Sequence, residues 1–281
     1  GSSAPAAATE APAASTEAPA EDVSADKTFV VGICQLVQHP ALDAATQGFK
    51  DALTEALGDK VTFQEQNASG DSATCSLICN QFVSDEVDLI MANATASIQA
   101  AASATNTIPI LGTSITDYGV ALGVDNWTGV SGTNISGTSD LAPLDGQAAM
   151  IQELFPDAKT IGLLYCSGEP NSIFQADSME ALLTDMGYSV ERYTFADSND
   201  VSSVTANACS NADVLYIPTD NTAASCTEAI NNVALSAGIP IVAGEEGIAA
   251  GCGVATLSIS YYDLGRATGE MAAEILTEGA D

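Results

Sequence analysis

VDLIMANATASIQAAASATNTIPILG (residues 87–112) and ADVLYIPTDNTAASCTEAINNVALSAGIPIVAG (residues 212–244) are one structural phrase written twice. Each copy opens on a short apolar run, passes a Thr/Asn turn and a helical stretch, and ends on Ile-Pro-Ile, one more aliphatic residue, and Gly or Ala-Gly. Working outward, FVVGIC (29–34) and VTFQEQ (61–66) precede the first copy, and IGLLYC (161–166) and VERYTF (190–195) precede the second. Inside the copies the runs are 87–92, 108–112, 213–217 and 239–243. Short apolar or alternating runs separated by helix-length patterns predict β-α-β-α-β-α-β in each half. The expected fold class is therefore α/β: two doubly wound, parallel-sheet, Rossmann-like domains joined by a hinge. Such sheets place ligands beyond the carboxyl ends of their strands. Two of them face to face make a cleft with two lips.

Residues 1–26 are different material, with ten Ala, three Pro, five acids and TEAPA at both 9–13 and 16–20. Lacking Leu, Ile, Phe, Met, Trp and Tyr, this leader has too little apolar surface to offset its ordering entropy, and it reads as a disordered tether. The remaining body of about 255 residues suits two domains better than one. Lys and Arg number 6 against 37 Asp and Glu, a formal charge of −31. Phosphate backbones and anionic bilayers are repelled by such a chain, so nucleic acid is not an expected partner. No apolar run approaches the ~20 residues that cross a bilayer.

The seven cysteines (34, 75, 79, 166, 209, 226 and 252) are odd in number and irregular in spacing, which is no disulfide framework. Cys75 and Cys79 share a helical face, but with one histidine in the chain and no CxxC, no metal or other cofactor is expected. Cys34 and Cys166 end the first strand of each half, where Cys serves as a small buried apolar residue. His39 is the only histidine, and any histidine-based catalysis must use it; no GxSxG elbow accompanies it. GVSGTNISG (129–137) and GEEGIAAGCG (244–253) fit neither GxGxxG nor a phosphate loop. The chain is not expected to be an enzyme.

The residues after each strand carry what chemistry there is. The first half supplies Gln35 to Asp43, Asn93-Ala94-Thr95 and Thr113-Ser114-Ile115-Thr116-Asp117. The second supplies Ser167 to Ser172, Pro218-Thr219-Asp220-Asn221 and Gly244-Glu245-Glu246. Ser, Thr, Asn and Asp at such places cap helices, and each alone is more often a cap than a ligand contact. Six such loops on one crevice offer helix N-termini to an anion and Asp220 and Glu245 to a cation. A zwitterion needs both.

CQLVQHPALDAATQGF (34–49), SGTSDLAPL (136–144), EPNS (169–172), PTDN (218–221), AGEEG (243–247) and YYDLGRATGEMA (261–272) together resemble ABC-transporter substrate-binding proteins of the tryptophan/tyrosine type. The resemblance runs from about residue 28 to the end and implies the type I periplasmic-binding architecture. It implies an extracytoplasmic receptor, monomeric, held at the membrane by an N-terminal lipid, that closes on an aromatic amino acid and delivers it to a permease. Ligand groups carried over by position fall on Gln35 and Leu36, Thr95, Ser114, the Asn171-Ser172 pair, the Asp220-Asn221 pair and Glu245. The carboxylate is expected on Thr95 and Ser114 or at the Asn171-Ser172 helix start, the ammonium on Asp220, and the ring against Phe174, Tyr118 or Leu36. Relatives usually continue beyond the helix opening at Tyr261, so the last crossover is expected to be incomplete.

The expected first lobe comprises residues 28–145 and 260–281 and the second 146–257, with hinges near Leu144-Asp145 and Ser258-Ser260. A sugar or nucleoside receptor on the same fold is the alternative. Such sites draw on charged hydrogen-bonding residues, especially Arg, and only Arg192 and Arg266 exist here. A ligand-sensing domain of a signalling protein would need an output module.

Overall fold

The computed structural model describes residues 27–280, so the tether expected at 1–26 lies outside the described residues. The first repeat runs β1 (Phe29–Gln35), α1 (Pro40–Leu57), β2 (Val61–Asn67), α2 (Ser72–Ser84), β3 (Leu89–Asn93), α3 (Thr95–Ala104), β4 (Ile110–Ile115), α4 (Tyr118–Leu122) and β5 (Ile135–Ser139). After α5 (Leu144–Leu154) the second runs β6 (Thr160–Cys166), α6 (Pro170–Asp185), β7 (Ser189–Phe195), α7 (Val201–Asn211) and β8 (Val214–Ile217). It continues through α8 (Asn221–Ser225), α9 (Thr227–Ala237), β9 (Ile241–Ala243), α10 (Glu246–Cys252) and β10 (Ala255–Thr256), and α11 (Tyr261–Glu278) follows. The two all-parallel sheets have the orders β2-β1-β3-β4-β5 and β7-β6-β8-β9-β10. The repeat in sequence is a repeat in space.

Four strands per half are expected from apolar runs, and the structure has five. β5 (ISGTS) holds one apolar residue and lies half-exposed at a sheet edge, while β10 is two residues long. Neither leaves a periodic signal. β4 also runs further than its apolar stretch, so Thr113-Ser114-Ile115 belong to the strand and not to the loop after it. The β4–β5 register shifts between Gly112 and Ile115, and Ser114 sits there at φ 57°, a left-handed conformation rare outside glycine.

Each sheet is buried on both faces, which is why its central strands are continuous apolar runs. In lobe 1, Phe49 and Leu53 of α1 and Ala272 of α11 pack on Val31, Ile33, Leu89 and Met91. Phe82 of α2 and Ile98 of α3 cover the other face around Cys34 and Ile90. A fully buried Phe contributes ~1.5–3 kcal/mol. Cys75 and Cys79 turn into this core, where the thiols of Cys34 and Cys75 lie 3.6 and 3.7 Å from the Ser97 hydroxyl. Backbone meets backbone where α1 crosses α11: a side chain at Gly48 would strike the Tyr262 carbonyl, and one at Gly265 the Ala45 carbonyl. That close approach seats α11 on lobe 1.

The chain leaves lobe 1 through residues 140–143, since Ala148 and Ile151 of α5 pack with Ile161 and Tyr216 of lobe 2. It returns through 257–260. Gln147 braces this region by donating to the carbonyls of Leu257 (2.8 Å) and Gly244 (3.3 Å). Among the described residues no helix is long and apolar enough to cross a membrane.

Candidate ligand-binding cleft

Parallel order with the chain returning between β1 and β3, and again between β6 and β8, puts both topological switch points at the carboxyl ends of the strands. The two ends face each other. From lobe 1 the cleft receives His39 and Leu42 of the β1–α1 region, Ser114 and Thr116 of β4 and its extension, and Asp140 after β5. From lobe 2 come Asn171, Thr219, Asp220, Asn221 and Glu245, and Tyr261 enters at the start of α11. The lobes touch: His39 Nε2 lies 3.0 Å from Asn221 Oδ1, and Gln175 Nε2 donates to Thr116 Oγ1 at 3.4 Å. The space between them is ≈ 10 Å³, no more than a water molecule needs.

Three carboxylates are buried here, and each is finished differently. Asp220 accepts from the backbone N–H groups of Cys166 and Ala223 and from the Ser172 hydroxyl, all at 2.7 Å. It is the N-cap of α8. Glu245 caps α10, accepting from Gly247 N–H at 2.8 Å and from Ile248 N–H. Asp140 accepts only hydroxyls, Thr116 at 3.1 Å and Tyr261 at 2.6 Å. Burial pushes all three carboxyls above their ordinary range; the charge of Glu169 adds to this at Asp220, and that of Asp140 at Glu245. No Lys or Arg lines the cleft. Arg192 is paired with Asp177 and Glu180, and Arg266 with Glu55, so neither arginine is spare for a ligand.

Among the described residues four buried side-chain atoms lack a hydrogen-bond partner, and three of them line this cleft: His39 Nδ1, Ser114 Oγ and Thr219 Oγ1. A buried polar atom without a partner costs roughly 1–3 kcal/mol, so three in one place mark a site that awaits other atoms.

Of the expected site residues, Ser114, Asn171, Asp220, Asn221 and Glu245 meet in the cleft. Four stand behind it. Gln35 is consumed by lobe 1, donating to Val37 O and Asp43 and accepting from Thr46. Leu36 is core, Thr95 is buried in the first turn of α3, and Ser172 supports Asp220. Tyr118 is not a cleft wall: its hydroxyl donates to Gly112 O (3.1 Å) and Thr138 O (2.9 Å), and its ring stacks on Trp127. Phe174 does not line the cleft either; Leu42 and Tyr261 supply its apolar surface. His39, Thr116, Asp140, Thr219 and Tyr261 were not among the expected contacts. All but Thr116 lie inside the motifs quoted above, and those motifs were the available signal.

A larger cavity of ≈ 600 Å³ lies at the outer edge of lobe 1, between Trp127, Tyr118 and the 129–137 loop. No charged side chain lines it, and it begins at the amino ends of β4 and β5. It offers nothing to a charged ligand.

Two parallel-sheet lobes, crossed twice by the chain and meeting around buried, unpartnered polar groups, define a two-lobed solute-binding protein of the type I periplasmic-binding architecture. The chain belongs to the ABC transporter substrate binding protein family, whose sequence profile matches residues 30–281. It is 39% identical over 249 residues to the tyrosine-binding protein of Clostridioides difficile, across 88% of this chain and 72% of that one. A Streptococcus pneumoniae ABC domain solved in complex with L-Trp superposes with a TM-score of 0.86 at 32% identity, covering 90% of this chain and 86% of that one. A ligand-free, open structure of a Clostridium difficile substrate binding protein, 38% identical over the same shares, superposes at only 0.65. The less similar sequence gives the better superposition. Members of the family work outside the cytoplasm as the receptors of ABC importers, and this chain is such a receptor.

Proposed function

We propose that the cleft binds an aromatic amino acid as its zwitterion and presents it to an ABC permease. Three buried carboxylates with no cation beside them carry this reading, because a ligand ammonium supplies the missing charge. The names of two relatives, one tyrosine-binding and one complexed with L-Trp, point the same way. The ammonium is assigned to Asp140 and not to Asp220. Asp220 already holds three donors, whereas Asp140 has only two hydroxyls and keeps accepting capacity. The ligand carboxylate goes to the Ser114 hydroxyl, which is buried in the cleft wall without a partner. Thr219 completes it from lobe 2, and Leu42 and Tyr261 flank the ring. A ring of this kind buries about 150–250 Å², so the lobes must part to admit it and close again. The leader serves as a lipid-anchored tether and the receptor acts as a monomer.

Melting curves with candidate ligands test this. Tyrosine, phenylalanine or tryptophan at about 100 times its dissociation constant should add ~2.7 kcal/mol, a shift of several degrees. Ribose, glucose and nucleosides should do nothing. Stabilisation by a sugar and by no amino acid would overturn the assignment.

A further inference from the structure

Glu169 has no place among the ligand contacts proposed above, yet it is engaged more fully than any other residue near the cleft. Its carboxylate accepts the backbone N–H of Asn221 (3.0 Å), the Asn221 side-chain Nδ2 (2.7 Å), the backbone N–H of Thr222 (3.0 Å) and the Thr222 hydroxyl (3.0 Å). An amide nitrogen on a carboxylate has one orientation, because the reversed amide would set oxygen against oxygen. Asn221 Oδ1 is therefore the atom that faces lobe 1, and it lies 3.0 Å from His39 Nε2. An amide oxygen only accepts, so Nε2 must carry the imidazole proton. Burial lowers the His39 pKa from its usual 6.5, against the opposing pull of the Asn221 bond and the charges of Glu169 and Asp43. A neutral ring has one proton, and with Nε2 holding it Nδ1 is a bare lone pair. That atom is buried and has no partner, on a residue only 5% exposed at the cleft wall.

We infer that Glu169 is a positioning residue: through Asn221 it locks His39 as the Nε2–H tautomer, so that Nδ1 accepts a hydrogen bond from the ligand. This rests on the aromatic amino acid reading of the cleft. His39 thereby contributes an acceptor without contributing charge, which suits a lip that already carries Asp140. Two ligand donors fit it, the ammonium and, in tyrosine, the phenolic hydroxyl. The relay spans both lobes, so the acceptor is aimed only when the lobes are together.

His39 is the sole histidine, so its ring nitrogens need no assignment in a spectrum of the nitrogen-15-labelled full chain. Long-range proton–nitrogen correlation of the tyrosine-saturated protein, in which the lobes are together, should show Nε2 protonated and Nδ1 without a proton. Nδ1 should then lie upfield of a bare imidazole nitrogen, as for a nitrogen that accepts a hydrogen bond. Phenylalanine in parallel identifies the donor: a shift with both ligands assigns the ammonium, and a shift with tyrosine alone assigns the phenol. Glu169→Gln should give a mixture of tautomers and weaken tyrosine by roughly tenfold, the scale of one hydrogen bond. A purely structural Glu169 would lower the melting temperature and leave the tautomer unchanged, which overturns the positioning role. An Nδ1 that is protonated in the tyrosine-bound protein overturns the inference, as does one that stays at the bare value while calorimetry shows tyrosine bound. The second result leaves the aromatic amino acid assignment standing; failure of every aromatic amino acid to bind in calorimetry removes both.

Discussion

Lobe 2 meets the cleft with carboxylates already committed to its own backbone, whereas lobe 1 meets it with strained backbone and half-satisfied side chains. Asp220 and Glu245 both cap helices, and both take backbone N–H groups. Asp140 takes only hydroxyls. Among the described residues the five non-glycine positions at positive φ all lie in lobe 1, and two of them, Ala94 (97°) and Ser114 (57°), stand at the carboxyl ends of β3 and β4. Residues held in such conformations cost on the order of 1–3 kcal/mol and persist where the surroundings over-determine them. The same strand order has thus been finished in two ways. All the hydrogen-bond donors to Asp220 and Glu245 lie within lobe 2, so these two carboxylates keep their partners when the lobes part.

The hardest test of that contrast sets Asp140 against Asp220. Asp140→Asn removes the partner of a desolvated ammonium and should cost about 2–5 kcal/mol of binding, from roughly 30-fold to beyond a thousandfold, as calorimetry reads it. Its effect on the melting temperature should be small. Asp220→Asn should do the opposite, because one oxygen can no longer accept and at least one of its donors is stranded. That costs ~1–3 kcal/mol of stability, a drop of several degrees, with far less change in affinity. If Asp220→Asn abolished binding and Asp140→Asn did not, the roles of the two lips would be reversed.

Ser114→Gly tests the strain. Glycine tolerates φ 57° at no steric cost, and the change also deletes a buried hydroxyl that has no partner. The ligand-free protein should gain ~1–2 kcal/mol in denaturant unfolding while tyrosine binding weakens by about tenfold. A loss of stability would mean that Ser114 is ordinary scaffold.

The smallest expected effect is on pH dependence. Asp140, Asp220 and Glu245 all have folded-state pKa values raised by burial above those of the unfolded chain. Between the two values the folded protein holds protons that the unfolded chain has released. The associated stability is present below the unfolded pKa and is lost as pH rises through the folded one. Melting temperature should therefore rise on going from neutral to mildly acid pH, aided by relief of the −31 net charge. Affinity should fall over the same range, since a protonated Asp140 no longer balances an ammonium. Asp140→Asn should flatten both slopes; an unchanged slope in melting temperature would assign the effect to Asp220, Glu245 and general charge repulsion.

The sequence by itself determined the repeat, the parallel sheets and the crevice. Buried parallel strands must be continuous apolar runs, and VDLIMA, IGLLYC and IPIVA print that requirement directly. Five of the residues it singled out, Ser114, Asn171, Asp220, Asn221 and Glu245, line the cleft, because each follows or ends a strand. Only the tertiary structure decided what each of them does there. Whether a carboxylate is a cap or is left for a ligand depends on how many N–H groups reach it, and those of Asp220 come from Cys166 and Ala223, fifty-odd residues apart in the chain. Asp140 stayed hidden for a related reason: the strand before it, ISGTS, lies at an edge and needs no apolar alternation, so nothing local marks its end. The proton on His39 is the extreme case. It is placed by an amide and a carboxylate 182 and 130 positions further along the chain, joined to it only because two lobes close.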